Sequence, residues 1–253
     1  MITKTHKRNI LVNAISAKEA EIIACNSYKS CDVSLGWDGN IEVDFLISGD
    51  DRSHYHNNII TPYFRSSNRD FTLLHGDCFQ LLCEFDFKFS CIFVVLPYFL
   101  SNGGISVQSG KIVSVNKGDW DKGKSHQEIM EFNMKWLDLC REKLKDNGTI
   151  WISGTYHNIF SVANCLTELG YKILNVVTWA KTNPPPNISC RYFTYSTEFI
   201  IWARKSEKRP HYFNYNLMKQ INNNKQMTDV WHLPAIARWE KSCGKHPTQK
   251  PLA

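Results

Sequence analysis

Apolar and polar positions alternate regularly only from Phe71 onward. Short apolar runs typical of buried strands then alternate with runs whose apolar positions recur at helical spacing. The predicted strands are FTLLHGD (71–77), CIFVVLPY (91–98), TIWISGTY (149–156), KILNVVTWAK (172–181) and TEFIIWARK (197–205). The predicted helices are CFQLLCEF (78–85), a run from about His126 to Lys145, and HNIFSVANCLTELG (157–170). Strands and helices that alternate in this way predict an α/β fold with a mostly parallel sheet flanked by helices.

The elements carry recognisable ends. The helix beginning near His126 places Ile129, Phe132, Trp136 and Cys140 on one face and is predicted to stop at Asn147–Gly148, while Gly170 caps the following helix. The segment 101–123 is rich in Gly, Ser, Asn and Lys, and we expect it to be too polar to pack and therefore mobile.

The first 70 residues differ from the rest of the chain. A helix is predicted around residues 17–25, and a polar passage without sustained periodicity follows it. We therefore predict two parts: residues 1–70 form an N-terminal extension, and residues 71–253 form the main domain.

Composition restricts the class of protein. The 253 residues are 43% hydrophobic and 21% charged, as in a folded globular protein. Neither a membrane-spanning run nor a signal peptide is recognisable, so we expect a cytoplasmic protein that does not bind membranes. The nine cysteines form no CxxC pair, and we interpret them as reduced thiols rather than metal ligands.

The net charge of +6 is unevenly distributed. Lys and Arg gather near Arg191, over 204–209 and over 238–250, with Tyr, Phe and Trp between them. Because basic groups neutralise phosphates and aromatic faces stack on bases, this mixture suits a nucleic acid. A solvated basic face over a small aromatic core is the alternative.

Six separated pieces carry a resemblance to a known family. They are HGDC (75–78), PYFLSNGG (97–104), SVNKGDWDK (114–122), GTIWISGTYH (148–157), SCRYFT (189–194) and HPTQKP (246–251). In this order they resemble β-group DNA amino-methyltransferases of restriction-modification systems, adenine-specific or cytosine-N4-specific. The resemblance covers about Leu73 to Leu252 and implies S-adenosyl-L-methionine as cofactor, double-stranded DNA as substrate and a cognate restriction endonuclease as partner.

The family motif Asp-Pro-Pro-Tyr corresponds to Val95, Leu96, Pro97 and Tyr98. Its Asp carboxylate and the first Pro carbonyl accept hydrogen bonds from the amino group of the base, and its Tyr stacks on the flipped base. The sequence thus predicts an exposed Tyr98 ring at the end of a buried strand. Val95 lacks an acceptor and only the Leu96 carbonyl remains, so we expect weak or absent turnover.

The cofactor residues follow from the same resemblance. Asp77 and Cys78 match the positions that contact the adenosine end of the cofactor, although Asp77 is also suited to cap the next helix. Thr248, Gln249 and Lys250 match those near its methionine carboxylate. The family's glycine-rich Phe-x-Gly-x-Gly loop comes after this piece, whereas the sequence ends at Ala253, so we expect a fold incomplete at its C-terminus.

A target-recognition region is expected around residues 183–245. The residues predicted to contact DNA are Lys117, Lys122, Arg191, Tyr192 and Arg238. The tripeptide Asn183-Pro184-Pro185 starts a catalytic motif but lacks its aromatic residue. Two other interpretations remain: a non-catalytic DNA-binding remnant, and an α/β domain that binds another nucleotide.

Overall fold

The computed structural model describes most of the chain from residue 62 onward. The described residues are 62–68, 70–101, 103–108, 111–114, 116, 121–187, 189–237, 239–240 and 249–251. The helix predicted at 17–25 and almost all of the predicted extension 1–70 lie outside these ranges, so the domain boundary stays a prediction.

Nine strands and four helices make up the described part of the chain. In chain order the strands are β1 Phe64–Arg65, β2 Thr72–Leu73, β3 Phe89–Val95, β4 Ile105–Gln108, β5 Lys111–Ser114, β6 Leu144–Gly154, β7 Lys172–Lys181, β8 Thr197–Arg204 and β9 Val230–Leu233. The helices are α1 Cys78–Glu84, α2 His126–Lys143, α3 Ile159–Glu168 and α4 Tyr215–Ile221. None of these helices is long and apolar enough to cross a membrane.

A five-stranded sheet in the order β3-β6-β8-β7-β9 forms the centre of the molecule. β3 pairs parallel with β6 and β7 parallel with β9, whereas β8 is antiparallel to both of its neighbours. Four of the five strands therefore run in one direction, and the prediction of a mostly parallel α/β sheet is confirmed.

The core lies between one face of this sheet and helices α1 to α3. The sheet contributes Ile92, Val94, Ile150 and Ile152, whose side chains are fully buried. The helices contribute Trp136 and Leu137 of α2 and Val162 of α3, which are fully buried as well. Burying one such aliphatic side chain stabilises the fold by roughly 1.5–3 kcal/mol. Trp151 and Trp202 stack on each other at 4.7 Å between ring centroids, and strand alternation puts them on the opposite face.

Helix α2 begins where the sequence predicts but ends earlier than predicted. Ser125 and Glu128 form a reciprocal capping box at its start. The predicted stop at Asn147–Gly148 is wrong: the helix ends at Lys143, and Leu144 is already extended (φ −83°, ψ 141°) and fully buried as the first residue of β6. Burying Leu144 in the sheet therefore overrides the continuing helical pattern. The prediction for α3 is confirmed, because Gly170 follows it with φ +73°.

The described residues of the polar segment 101–123 include regular structure. β4 and β5 pair as an antiparallel hairpin, and Asp121 has no exposed surface. The expectation that this segment does not pack is therefore wrong at Asp121, whose buried carboxylate attaches the segment to the turn after β3, whereas Ile105 and Ile112 of the hairpin are exposed.

Candidate active site

The turn after β3 lies where the sequence places it, at the carboxyl ends of two parallel strands. Val95 pairs with Ser153 of β6, and the Leu96 amide donates to the Ser153 carbonyl at 3.4 Å. Open α/β sheets bind ligands at this edge. The side chain of Val95 is half-buried, whereas Leu96 and Pro97 are buried.

Asp121 holds this turn in shape. Its Oδ1 accepts hydrogen bonds from the amides of Tyr98 and Phe99, each at 2.8 Å. Its Oδ2 accepts from the Leu100 amide at 3.2 Å and from the Ser101 hydroxyl at 3.0 Å. These charge-assisted bonds satisfy three successive amides and stabilise Phe99 at φ +54°, which is unusual for a residue with a Cβ.

Sequence reasoning missed the role of Asp121. The residue lies in the piece SVNKGDWDK, which supports the family resemblance, but its neighbours are polar and nothing local indicates burial. The two ends of the segment meet through the pairing of Ser101 with Lys122 and through the bonds to Asp121, contacts between residues about 20 positions apart.

Tyr98 does not match the expected exposed ring. It is only 5% exposed, and its hydroxyl accepts a hydrogen bond from Lys250 and donates one to Glu198 at 3.3 Å. The Lys250 ammonium lies 5.2 Å from the centroid of the ring. Burial raises the pKa of the Tyr98 phenol, which therefore stays protonated. The prediction of exposure is wrong because a polar cluster, distant in sequence, captures the hydroxyl.

That cluster is centred on Glu198, the second residue of β8. Its carboxylate lies 2.7 Å from the Lys181 ammonium and 2.6 Å from that of Lys250. Burial by itself would raise the pKa of Glu198, but the two ammonium groups outweigh it and hold that pKa at about 2. Burial likewise opposes the charge of Lys250, but Tyr98 and Glu198 raise its pKa above the ordinary value.

The two lysines also flank an aromatic ring. Their ammonium groups lie 5.2 Å and 5.7 Å from the centroid of Trp179. Sequence reasoning missed Glu198 and Lys181. The sequence did contain a signal for them. Glu198 stands at the start of the apolar run of β8, and Lys181 stands at the end of that of β7. Because the two strands pair antiparallel, these two ends lie side by side.

The predicted cofactor residues occupy different environments. Asp77 caps α1, and its carboxylate accepts from the amides of Phe79 at 2.9 Å and Gln80 at 3.1 Å. Cys78 is 2% exposed, so a cofactor contact there, which stays a prediction, would involve its backbone. Gln249 donates to the Glu240 carbonyl at 2.9 Å. Thr248 lies outside the described residues.

Lys250 is compatible with the predicted cofactor contact. An ammonium group has three hydrogens to donate, and the Lys250 bonds to Tyr98 and Glu198 use two of them. One hydrogen therefore remains for a carboxylate, and the partly buried position of the group strengthens such a bond. The structure thus brings Lys250 to the same edge as the turn after β3.

Three of the five residues predicted to contact DNA lie within the described ranges, and their role stays a prediction. Lys122 and Arg191 are exposed, and Tyr192 is 57% exposed. Lys117 and Arg238 lie outside the described residues. Asn183 has a structural role, because its side-chain oxygen accepts from the Ala235 amide at 2.6 Å. Within the described ranges, no group of three or more His, Cys, Asp or Glu side chains could hold a metal ion.

Comparison with known proteins shows similarity to DNA methylases. The model of a DNA methylase family, N6/N4 type, matches residues 89–253. The Type II methyltransferase M2.MboI of Moraxella bovis is 56% identical over 194 residues, which are 76% of this chain and 71% of the relative. The Type II methyltransferase M2.DpnII of Streptococcus pneumoniae is 55% identical over 192 residues, 75% of this chain and 71% of the relative.

A solved structure shows the same fold at much lower identity. The PvuII DNA methyltransferase (cytosine-N4-specific) superposes on this chain with a TM-score of 0.50 at 14% identity. The superposed region covers 71% of this chain and 66% of the PvuII chain. At this identity the similarity concerns the fold alone.

Proposed function

This chain belongs to the N6/N4 DNA methylase family, and from that premise we propose that it methylates the exocyclic amino group of a flipped base, adenine N6, at specific DNA sites. The cofactor of the family is S-adenosyl-L-methionine, which supplies an electrophilic methyl group on a sulfonium. The observation that carries the proposal is the family match over residues 89–253, since it includes both the turn after β3 and Lys250.

The chemistry explains why acceptors are needed at the turn. The lone pair of an exocyclic amino nitrogen is delocalised into the ring of the base, so the nitrogen is a poor nucleophile. Acceptors placed at its two protons return that density to the nitrogen, without any covalent enzyme intermediate. The Leu96 carbonyl is the acceptor that this chain offers, while Val95 stands where the second would be.

Pro97 and Tyr98 form the remaining part of the base site. Pro97 restricts the backbone of the turn, and the Tyr98 ring is the surface on which the base stacks. Because the Tyr98 ring is only 5% exposed, stacking requires the groups that bury it to move aside.

Loss of one acceptor lowers the expected rate. Removing one positioned polar group from an active site costs roughly two to three powers of ten in turnover. We therefore expect this chain to bind its cofactor and DNA and to transfer methyl groups slowly.

The exposed basic and aromatic side chains of Lys122, Arg191 and Tyr192 support DNA as the substrate. Lys117 and Arg238 join them by resemblance. A cognate restriction endonuclease that cleaves the unmethylated site is the partner expected for a restriction-modification enzyme.

A methylation assay tests the proposal. The chain and its Val95→Asp/Leu96→Pro variant are incubated with labelled S-adenosyl-L-methionine and unmethylated plasmid DNA, and the product nucleosides are identified by mass spectrometry. We expect N6-methyladenine, formed at least about 100-fold faster by the variant. Equal and fast rates in both proteins would show that Val95 does not occupy the acceptor position.

A non-catalytic DNA-binding remnant is the second candidate function, and the replacement of the motif Asp by Val95 favours it. If both proteins are inactive but bind duplex DNA with an affinity that falls steeply with salt, the remnant is the correct description.

A further inference from the structure

We propose that four adjoining rings, those of His157, Tyr156, Tyr195 and Tyr192, form a stacking surface for unstacked DNA bases next to the target base. We call these four rings the aromatic row. The inference rests on the proposed function, because it takes DNA as the substrate.

The four rings lie next to one another in space, in the order His157, Tyr156, Tyr195 and Tyr192. The centroids of Tyr156 and His157 are 3.8 Å apart, those of Tyr156 and Tyr195 are 5.1 Å apart with planes at 14°, and those of Tyr192 and Tyr195 are 5.4 Å apart. The Tyr156 hydroxyl donates to the Tyr195 hydroxyl at 3.1 Å. This bond and the near-parallel planes hold two of the rings in a fixed orientation.

The aromatic row stands beside the turn that carries Tyr98. Tyr156 comes two residues after the end of β6, and Tyr195 comes two residues before the start of β8. These two strand ends adjoin, since Gly154 pairs with Phe199, and β6 also pairs with β3 at Val95. A strand of DNA that delivers a base to the turn would therefore pass the row.

Three tyrosine rings of the aromatic row are exposed to solvent. Tyr156, Tyr195 and Tyr192 are 40%, 55% and 57% exposed, and Phe193 beside them is 96% exposed. Single exposed aromatic residues are ordinary, but a contiguous group of this size marks an interaction surface. Because Tyr156 and Tyr195 stack on each other, bases can reach ring faces at the two ends of the row, at His157 and Tyr192, which are both exposed.

The charge around the row favours a polyanion. The segments 154–167 and 182–197 contain no Asp or Glu, and Arg191 is exposed next to Tyr192. Partial burial, together with the neighbouring Tyr195, raises the pKa of Tyr156 to about 12, so its phenol stays neutral and does not repel phosphates. A nucleic acid combines planar faces with negative charge, which an acidic peptide does not.

Binding measurements with matched variants test the row. The probe is a fluorescein-labelled duplex of mixed sequence with a central unpaired stretch, titrated at several salt concentrations. We expect Tyr195→Ala and Tyr192→Ala to weaken binding about 5- to 150-fold with an unchanged salt slope, because stacking releases no counterions. Tyr195→Phe keeps the ring and should bind like the parent, while Arg191→Ala should reduce the slope by about one.

A loss of binding by Tyr192→Ala cannot be attributed to unfolding, because the Tyr192 side chain is 57% exposed and its loss should leave the melting temperature unchanged. Photocrosslinking of the same duplex with 5-iodouracil in its unpaired stretch should label tyrosines of the row. Parent-like binding by both alanine variants, without such crosslinks, would overturn the inference while leaving the proposed function intact. Failure of the parent to bind any DNA would instead overturn the proposed function and this inference with it.

Discussion

At the scale of single residues, Asp121 is the residue on which the shape of the turn after β3 depends. Its four accepted hydrogen bonds come from one run of chain, residues 98–101. A buried donor left without an acceptor costs about 1–3 kcal/mol, so the turn would not keep its form without this carboxylate.

Asp121→Asn tests this dependence. The amide keeps the size of the side chain but replaces one accepting oxygen with a donor that faces backbone donors, so we expect unfolding free energy to fall by roughly 2–3 kcal/mol. Urea denaturation measures it, with Asp138→Asn on the exposed side of α2 as control. Equal effects of the two substitutions would show that the Asp121 contacts are dispensable.

Glu198 gives the stability of the protein a characteristic dependence on pH. Its pKa is about 2 in the folded state and about 4.5 when unfolded. A carboxyl with a depressed folded pKa contributes its full stabilisation above the unfolded value and loses it as pH falls toward the folded value. The contribution of Glu198 should therefore disappear between about pH 4.5 and pH 2.

Glu198→Gln should consequently be less stable than the parent at pH 7, by on the order of 3 kcal/mol. The difference should shrink as the pH of the urea titration falls from 4.5 toward 2. The control is Glu207→Gln, since Glu207 is 76% exposed in its pair with Lys172 and should contribute little at any pH. A difference between Glu198→Gln and the parent that stays constant with pH would contradict the ion-pair cluster.

At the scale of secondary structure elements, the junction between α2 and β6 shows how tertiary packing changes a local signal. Gly148 resembles a helix stop in sequence, but it lies within the long strand β6. An added Cβ there would meet the Lys145 carbonyl oxygen at 2.9 Å and the Phe89 carbonyl oxygen at 3.1 Å. The glycine is thus required by the close approach of two backbone segments.

Gly148→Ala should lower the free energy of unfolding by roughly 1–3 kcal/mol, because backbone atoms cannot move aside cheaply. Gly123→Ala is the matched control, since its added Cβ would meet only the Phe99 carbonyl oxygen, at 3.9 Å. Thermal or urea denaturation of both variants provides the comparison. If Gly148→Ala were as stable as this control, the close approach would not explain the glycine.

At the scale of the whole molecule, the candidate site is assembled from segments that are far apart in the chain. The turn after β3, the segment after β6, the β7 and β8 ends, and residues 249–251 all meet at one edge of the sheet. This assembly explains why a charged cluster forms there although its members Tyr98, Lys181, Glu198 and Lys250 span more than half of the sequence.

The sequence by itself determined the α/β class, the direction of most strands, the caps of α1 and α3, and the edge at which the turn after β3 lies. Hydrophobic period, capping residues and strand-ending turns are local properties, so they can be recognised along the chain. The tertiary structure alone decided that Tyr98 and Asp121 are buried, that α2 yields to β6 at Leu144, and that Glu198 is paired with two lysines. Each of these outcomes depends on which distant groups compete for one space or one hydrogen bond, and a linear pattern contains no distances between such groups.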